Sequence, residues 1–424
     1  MITRIDATNY RCFEKLSIAT GKFGVVAGAN GSGKTTLLDI PVLLGDLLRS
    51  RSVSSAFMEP LLNRGPRAST LSELCFRHNG GSFSLGIEAK LPDHVRDEVI
   101  KLSTPAVQKD ASKHPTHLRY ELRFHLSEHQ LAVQNEYLFL FTHSDAYEAQ
   151  RLPIQGENAS RDDWYFIIER AYGGDTTFRP EGKGARRAAK IDDTLPALPR
   201  LQFENKKEFP AATWLLNVLL DGVVFFDPTW SKLRAASQPG LKRSRLLSSG
   251  ENLPWLAMRL QDDDPERFAL WVSHVRMALP QITAIRVRER EEDHYAYFRV
   301  TYEAGFEVTS SGLSEGTLRI LALTLLAYIE DAPRLLVVEE PENSIHPQAI
   351  EIVLQSLRSL YDSQVWVSTH SPVVLATAKL PELLITRLAR SGAAEVLPGD
   401  EHPRLANWKG AIDLGSLFAT GVFE

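Results

Sequence analysis

The chain has 424 residues, 43% apolar and 24% charged, and carries a formal net charge of −5. That composition belongs to a folded globular protein, long enough for one elaborate domain or two to three ordinary ones, and it excludes a disordered or low-complexity chain. No run of eighteen apolar residues occurs, and the start "MITRIDATNYRCF" has neither a basic nor an apolar leader region, so no membrane partner and a cytoplasmic location are expected.

The first thirty residues alternate as strands do, in "ITRIDATNY", "KLSIAT" and "KFGVVAG", the last running straight into a glycine loop. Residues 34–49 then read as a helix with Leu37, Leu38, Leu43, Leu44 and Leu47 on its apolar side, despite Pro41. From Ser82 to Phe141 the stretches "SFSLGIEA", "HLRYELRFHL" and "LAVQNEYLFLF" predict a β-rich lobe, interrupted by a polar, helical segment around Asp93 to Gln108. Cys12 and Cys75 stand beside aromatic residues without metal-ligand spacing and read as buried thiols.

The middle is less regular, with "RPEGKGARRAAK" expected as an exposed loop before the helical stretches "GENLPWLAMRL" and "PERFALWVSHVRMAL". Strands return in "ITAIRVRER" and "YAYFRVTYE". A helix from Ser314 to Glu330, the apolar strand "RLLVVEE", a helix from Pro347 to Tyr361 and the strand "QVWVSTH" follow. Apolar strands alternating with helices predict parallel βαβ units. The expected division is an N-terminal part over 1–145, an inserted, partly helical region over 146–280 and a C-terminal part over 281–424.

Four segments carry chemistry. Gly28-Ala29-Asn30-Gly31-Ser32-Gly33-Lys34-Thr35 fits G-x-x-x-x-G-K-[ST], in which glycines let backbone N–H groups close around phosphates at a helix N-terminus. Asn30, Gly31, Ser32, Gly33 and Thr36 then belong to the nucleotide site. Lys34 reaches the β and γ phosphates of ATP, and Thr35 ligates Mg²⁺. In "RLLVVEEPEN" the strand delivers Glu339 and Glu340 at its C-terminal end, where open α/β sheets bind ligands. Two carboxylates there are costly unless a cation or a proton relay uses them, which assigns Glu339 to the Mg²⁺ shell and Glu340 to activation of the attacking water. "VWVSTHSP" ends another apolar strand at His370, placed to sense the γ phosphate. "GLSEGTLRILALTLL" starts a helix at Ser314, Gly316 and Thr317; anion binding and a plain Ser N-cap are both consistent with it.

In order, these segments resemble the ABC-type ATPases, "LSEGT" standing where their LSGGQ-like signature is expected. The opening "NYRCFEKLSI", the double glutamate followed by "PENSIHP", and "STHSP" look like the SMC/RecF/OLD-like branch, in particular its stand-alone ATPases with an AAA-type core often found in phage-defence operons. "RLLSSGENLPWLAMRL" resembles them too. The resemblance implies an ABC-type P-loop NTPase head of the α/β class, with a mixed or parallel central sheet, an N-terminal antiparallel β lobe and a helical insertion. It also implies an ATP-dependent homodimer in which Ser314, Gly316 and Thr317 meet the γ phosphate held by Lys34 of the other copy. Asn343 matches the D-loop region, Arg11 a position near the base or sugar, and His370 the switch histidine; His346 is read as structural. No glutamine stands out for the Q-loop, Gln130 and Gln134 matching weakly.

A transporter subunit shares these motifs, but Ser314 lies much farther beyond Thr35 than a compact transport head needs. A condensin-like arm would need long heptads where Pro-rich breaks stand. About fifty residues follow His370, too few for a TOPRIM-type nuclease, so a nuclease or toxin effector is expected as a separate chain. The rival from another class is a scaffold whose ATP occupancy, not turnover, gives the output. DNA is a possible partner of Lys183, Arg186, Arg187 and Lys190, or of Lys232, Arg234, Lys242, Arg243 and Arg245, although a charge run is more often a solvated face.

Overall fold

The computed structural model describes residues 1–61, 65–127, 130–143, 164–405, 408, 410 and 412–423. The chain divides into two compact units, Met1–Gly21 with Asp39–Gly222 and Leu388–Glu395, and Lys22–Leu38 with Val223–Arg387 and Val396–Glu424. The segment 146–280 contributes strands to both. Among the described residues no helix is long and apolar enough to cross a membrane.

The first unit is built on an eight-stranded sheet of β1 (Ile2–Tyr10), β2 (Phe13–Ala19), β4 (Ser82–Lys90), β5 (His117–Leu126), β6 (Leu131–Phe141), β7 (Tyr165–Ala171), β8 (Thr176–Phe178) and β9 (Arg187–Ala189). Its order is β2-β1-β4-β5-β6-β7-β8-β9, with every neighbouring pair antiparallel. Alternation decides which residues meet. Leu118, Tyr120, Leu122 and Phe124 of β5 are buried on one face, where Phe83 stacks on Phe124 at 4.8 Å. The intervening Arg119 and Glu121 are buried as well, and charge pairing makes this tolerable: Arg119 bonds Asp6 at 2.5 Å, Glu88 at 2.8 Å and Glu121 at 3.0 Å. Cys12, expected to be buried, is half-buried in the turn after β1, and Cys75 is buried in an isolated bridge to Tyr10. The stretch expected as a loop around Arg187 forms edge strand β9, because its backbone pairs with β8.

The second unit holds a six-stranded sheet ordered β10-β14-β15-β3-β16-β17, from β3 (Phe23–Gly28), β10 (Val223–Phe226), β14 (Leu335–Glu339), β15 (Gln364–Thr369), β16 (Leu383–Leu388) and β17 (Ala394–Pro398). The pairs β10/β14, β14/β15, β15/β3 and β3/β16 are parallel. Leu335 to Val338 are at most 1% exposed, as continuous apolar strands of a two-sided parallel sheet must be. A three-stranded antiparallel sheet of β11 (Ile282–Glu289), β12 (Ala296–Tyr302) and β13 (Glu307–Thr309) belongs to the same unit.

Helices Leu253–Asp263, Pro265–Ala278, Glu315–Leu325 and Pro347–Arg358 share a core with these sheets, in which buried Trp271 donates its indole N–H to Thr324 at 3.0 Å. Asp264 caps Pro265–Ala278 by accepting from the Arg267 N–H. The helix expected to run to Glu330 ends at Leu325. There the backbone tightens, with Tyr328 N–H bonding Leu325 O at 2.8 Å, ahead of the "EDAPR" segment that cannot continue it. The helix Lys34–Arg49 continues through Pro41.

Candidate functional site

The parallel order places the C-terminal ends of β3, β15 and β14 side by side, and each delivers one candidate segment. After β3 the loop turns through Gly31 and Gly33, whose φ of +77° and +98° lie in the left-handed region that glycine enters freely. Nothing stands within 4 Å of where a Gly31 side chain would project, so the loop is open above its backbone. Lys34 is 8% exposed, and its ammonium donates to the carbonyls of Gly28 at 2.7 Å and Ala29 at 2.9 Å. Burial lowers its pKa, and the nearby charges of Glu340 and Glu339 oppose that shift. A lysine drawn under a glycine loop, within electrostatic reach of two carboxylates, is suited to exchange its carbonyl partners for phosphate oxygens.

Thr35 is exposed and Thr36 half-buried at the first turn of the helix, whose leading N–H groups have no intrahelical acceptor. Asn30 is exposed. Ser32 turns inward: it is 2% exposed, and its hydroxyl meets Ala29 O at 2.8 Å and the Thr386 hydroxyl at 2.6 Å. Its side chain therefore shapes the loop from below.

At the end of β14, Glu339 is half-buried and pairs in register with Ser368. Glu340 follows with φ +44°, a conformation costing a non-glycine residue about 1–3 kcal/mol and found where a site holds a side chain in a demanded direction. Its backbone N–H donates to Ser368 O at 2.9 Å. One carboxylate oxygen lies 2.9 Å from His370 Nδ1, and the other accepts from Asn343 Nδ2 at 2.7 Å. Against a carboxylate acceptor, His370 Nδ1 is the donor of this bond. Glu340 and His370 are brought together, with Asn343 hydrogen-bonded to the first of them. His346 caps the helix Pro347–Arg358 through the Gln348 N–H.

The signature segment is also in this unit. Ser314 caps its helix by accepting from the Thr317 N–H at 3.2 Å, and the two hydroxyls lie 2.9 Å apart. Gly316 is required by close approach, since a Cβ there would come within 2.3 Å of the Ser344 carbonyl. The helix N-terminus thus rests on the turn that carries Asn343.

Arg11 belongs to the other unit, where it takes φ +51° after β1 and donates its N–H to Leu74 O at 2.9 Å. Gln130 is exposed and Gln134 half-buried in that unit. Several basic candidates are already engaged: Arg187 with Glu204 and Glu208, Lys232 with Glu251, and Lys242 with Glu289.

Sequence reasoning missed Glu342 and Thr386. Glu342 accepts from the Thr369 hydroxyl at 2.5 Å, and burial raises its pKa; the third carboxylate of "EEPE" was its signal. Thr386 sits on a strand with no motif, so nothing in the sequence pointed to it.

A glycine loop with a buried lysine, beside two parallel strands that end in Glu339-Glu340 and in His370, defines the head of a P-loop ATPase of the ABC type. The chain belongs to the family described as "AAA domain, putative AbiEii toxin, Type IV TA system", whose profile matches residues 23–376. The fold is similar to that of the Smc head bound to the C-terminal winged-helix domain of ScpA, with 14% identity, TM-score 0.52, and 93% of this chain and 96% of that one covered. It is likewise similar to the Pyrococcus furiosus Smc head with an extended coiled coil bound to the C-terminal domain of ScpA, at 13% identity, TM-score 0.50, and 93% and 95% coverage. No curated protein matches the chain.

Proposed function

We propose that the chain binds Mg·ATP at Gly28–Thr36 and hydrolyses it, and that the nucleotide state of a homodimer controls a separate effector chain. The observation that carries the reading is the Glu340 carboxylate, fixed between His370 and Asn343 at the end of β14, one strand removed from β3, which leads into the lysine loop. Glu340 takes the proton of the attacking water, and His370 Nε2 faces the phosphate side. Lys34 holds the β and γ phosphates, and the loop amides and helix N-terminus add positive potential. Thr35 and Glu339 are the groups of this chain that would hold Mg²⁺, an exposed hydroxyl and a carboxylate being the oxygen donors it prefers. The metal supplies neutralisation of charge on the β and γ phosphates.

Ser314, Gly316 and Thr317 complete the site of a second copy, with Asn343 at the seam. A separate nuclease or toxin is the effector in this reading, and phage defence or DNA-related maintenance the setting; the family description itself names a putative toxin of a type IV TA system and no separate effector. That Smc heads of similar fold bind a ScpA domain supports a head that docks a small partner chain. An output set by occupancy rather than turnover is the second reading. The test is phosphate release from Mg·ATP by the purified chain, with and without DNA. Release well above that of Lys34→Ala is expected; equal release from both refutes hydrolysis at this site.

A further inference from the structure

The first glycine of the loop, Gly28, has no room for a side chain, because Thr386 of β16 fills the space: a Cβ at Gly28 would lie 2.2 Å from both the Thr386 carbonyl and its hydroxyl. The two residues are paired in register across parallel strands. Thr386 is 1% exposed, and its hydroxyl donates to Ala27 O at 3.1 Å and meets the Ser32 hydroxyl at 2.6 Å. Ser32 in turn reaches Ala29 O at 2.8 Å. With two hydroxyl protons for three contacts, either Ser32 donates to Thr386 and Thr386 to Ala27 O, or Thr386 donates to Ser32 and Ser32 to Ala29 O. Whichever hydroxyl donates to the other, the pair ties loop to strand from the side opposite the open face.

We propose that Thr386 is a positioning residue for nucleotide binding, a strut that holds the phosphate loop in its phosphate-accepting shape before ATP arrives. The inference rests on reading Gly28–Thr36 as the nucleotide site. Loop amides bind phosphate well only if they converge beforehand; a loop that must be ordered on binding spends affinity on its own ordering. Threonine suits the task because its branched Cβ restricts χ1 in a strand and so fixes the direction of the hydroxyl. Its hydroxyl meets strand β3 at Ala27 and the loop at Ser32, and bonds neither Glu340 nor His370, so the effect belongs to binding rather than to the chemical step.

The test is a titration with a fluorescent ATP analogue and steady-state hydrolysis, both on the full chain. Thr386→Val keeps the shape and removes the hydroxyl; nucleotide affinity is expected to fall about tenfold, the size of one net hydrogen bond, with KM raised in parallel and kcat within about twofold. Thr386→Ser restores affinity. Ser32→Ala cuts the same link from its other end, so Ser32→Ala with Thr386→Val binds no more weakly than the weaker single variant. Wild-type affinity in Thr386→Val, a Ser variant as weak as the Val one, additive losses, or a loss confined to kcat overturns the proposal. A wild-type chain that binds no nucleotide overturns instead the site beneath it, a result distinct from a binding chain indifferent to Thr386.

Discussion

Replacing Glu340 by glutamine separates holding ATP from cleaving it, and the geometry sets the size of the effect. Glu340 has two partners, His370 Nδ1 at 2.9 Å and Asn343 Nδ2 at 2.7 Å. A glutamine keeps both: its oxygen accepts from Asn343, and its amide donates to Nδ1 once the imidazole moves its proton to Nε2. The side chain therefore stays in place, and what disappears is a base able to take a proton from water. General-base catalysis contributes about 10²- to 10⁴-fold, or about 3–5 kcal/mol of barrier. The expected outcome is kcat reduced by that factor, with nucleotide affinity within about threefold of the wild type. Single-turnover hydrolysis of radiolabelled ATP reads the first quantity and equilibrium binding the second. Hydrolysis by Glu340→Gln within about threefold of wild type would refute the assignment of the base.

Other consequences concern the scaffold. Arg67 bonds Asp39 at 2.6 Å and Asp46 at 2.6 Å, both buried on the helix that begins with Lys34. Arg67→Met leaves two buried carboxylates without the guanidinium, and because Arg49 still reaches Asp46 the loss falls at the low end of the usual range, about 3 kcal/mol. Calorimetry should show a fall in Tm of at least about 6 °C, largely recovered when Asp39→Asn and Asp46→Asn are added; a shift under about 2 °C would contradict the pairing. Glu181 is buried and accepts the N–H groups of Ala211 and Ala212, yet burial prevails and raises its pKa to about 8. An acid whose folded pKa is raised weakens the fold as pH climbs from its ordinary value, 4.5, to about 8, and has no further effect above that. Urea unfolding of the wild type against Glu181→Gln at pH 5, 6.5 and 8 should give curves that converge or cross with pH, whereas equal pH slopes would contradict it.

The strands and helices around the four motifs were legible because each is strongly periodic and punctuated by glycine, proline or a cap. "RLLVVEE" and "QVWVSTH" announced a buried parallel sheet, and β14, β15 and β3 are neighbours in it. β10 was not legible: its four residues, "VVFF", directly follow an apolar helix and the π-helical segment Val218–Gly222, so nothing marks where one period gives way to the other. Nor were β8 and β9, three residues each, since their existence depends on pairing, of β8 with β7 and of β9 with β8, rather than on local pattern. At the site, Lys34, Glu340 and His370 carried type and spacing signals. The inward turn of Ser32 did not, because the cause is a hydroxyl 354 residues away. The buried pairs of Arg119 and Arg67 were hidden for the same reason: each joins residues far apart in the chain, and a lone arginine in a sequence looks solvated.

The most direct measurement of the central claim is a structure of Glu340→Gln with Mg·ATP. Two copies are expected, each γ phosphate held by Lys34 of one chain and faced by the helix N-terminus at Ser314 and Gly316 of the other. ATP seated elsewhere, or a Ser314 helix that points at no phosphate, would contradict the account.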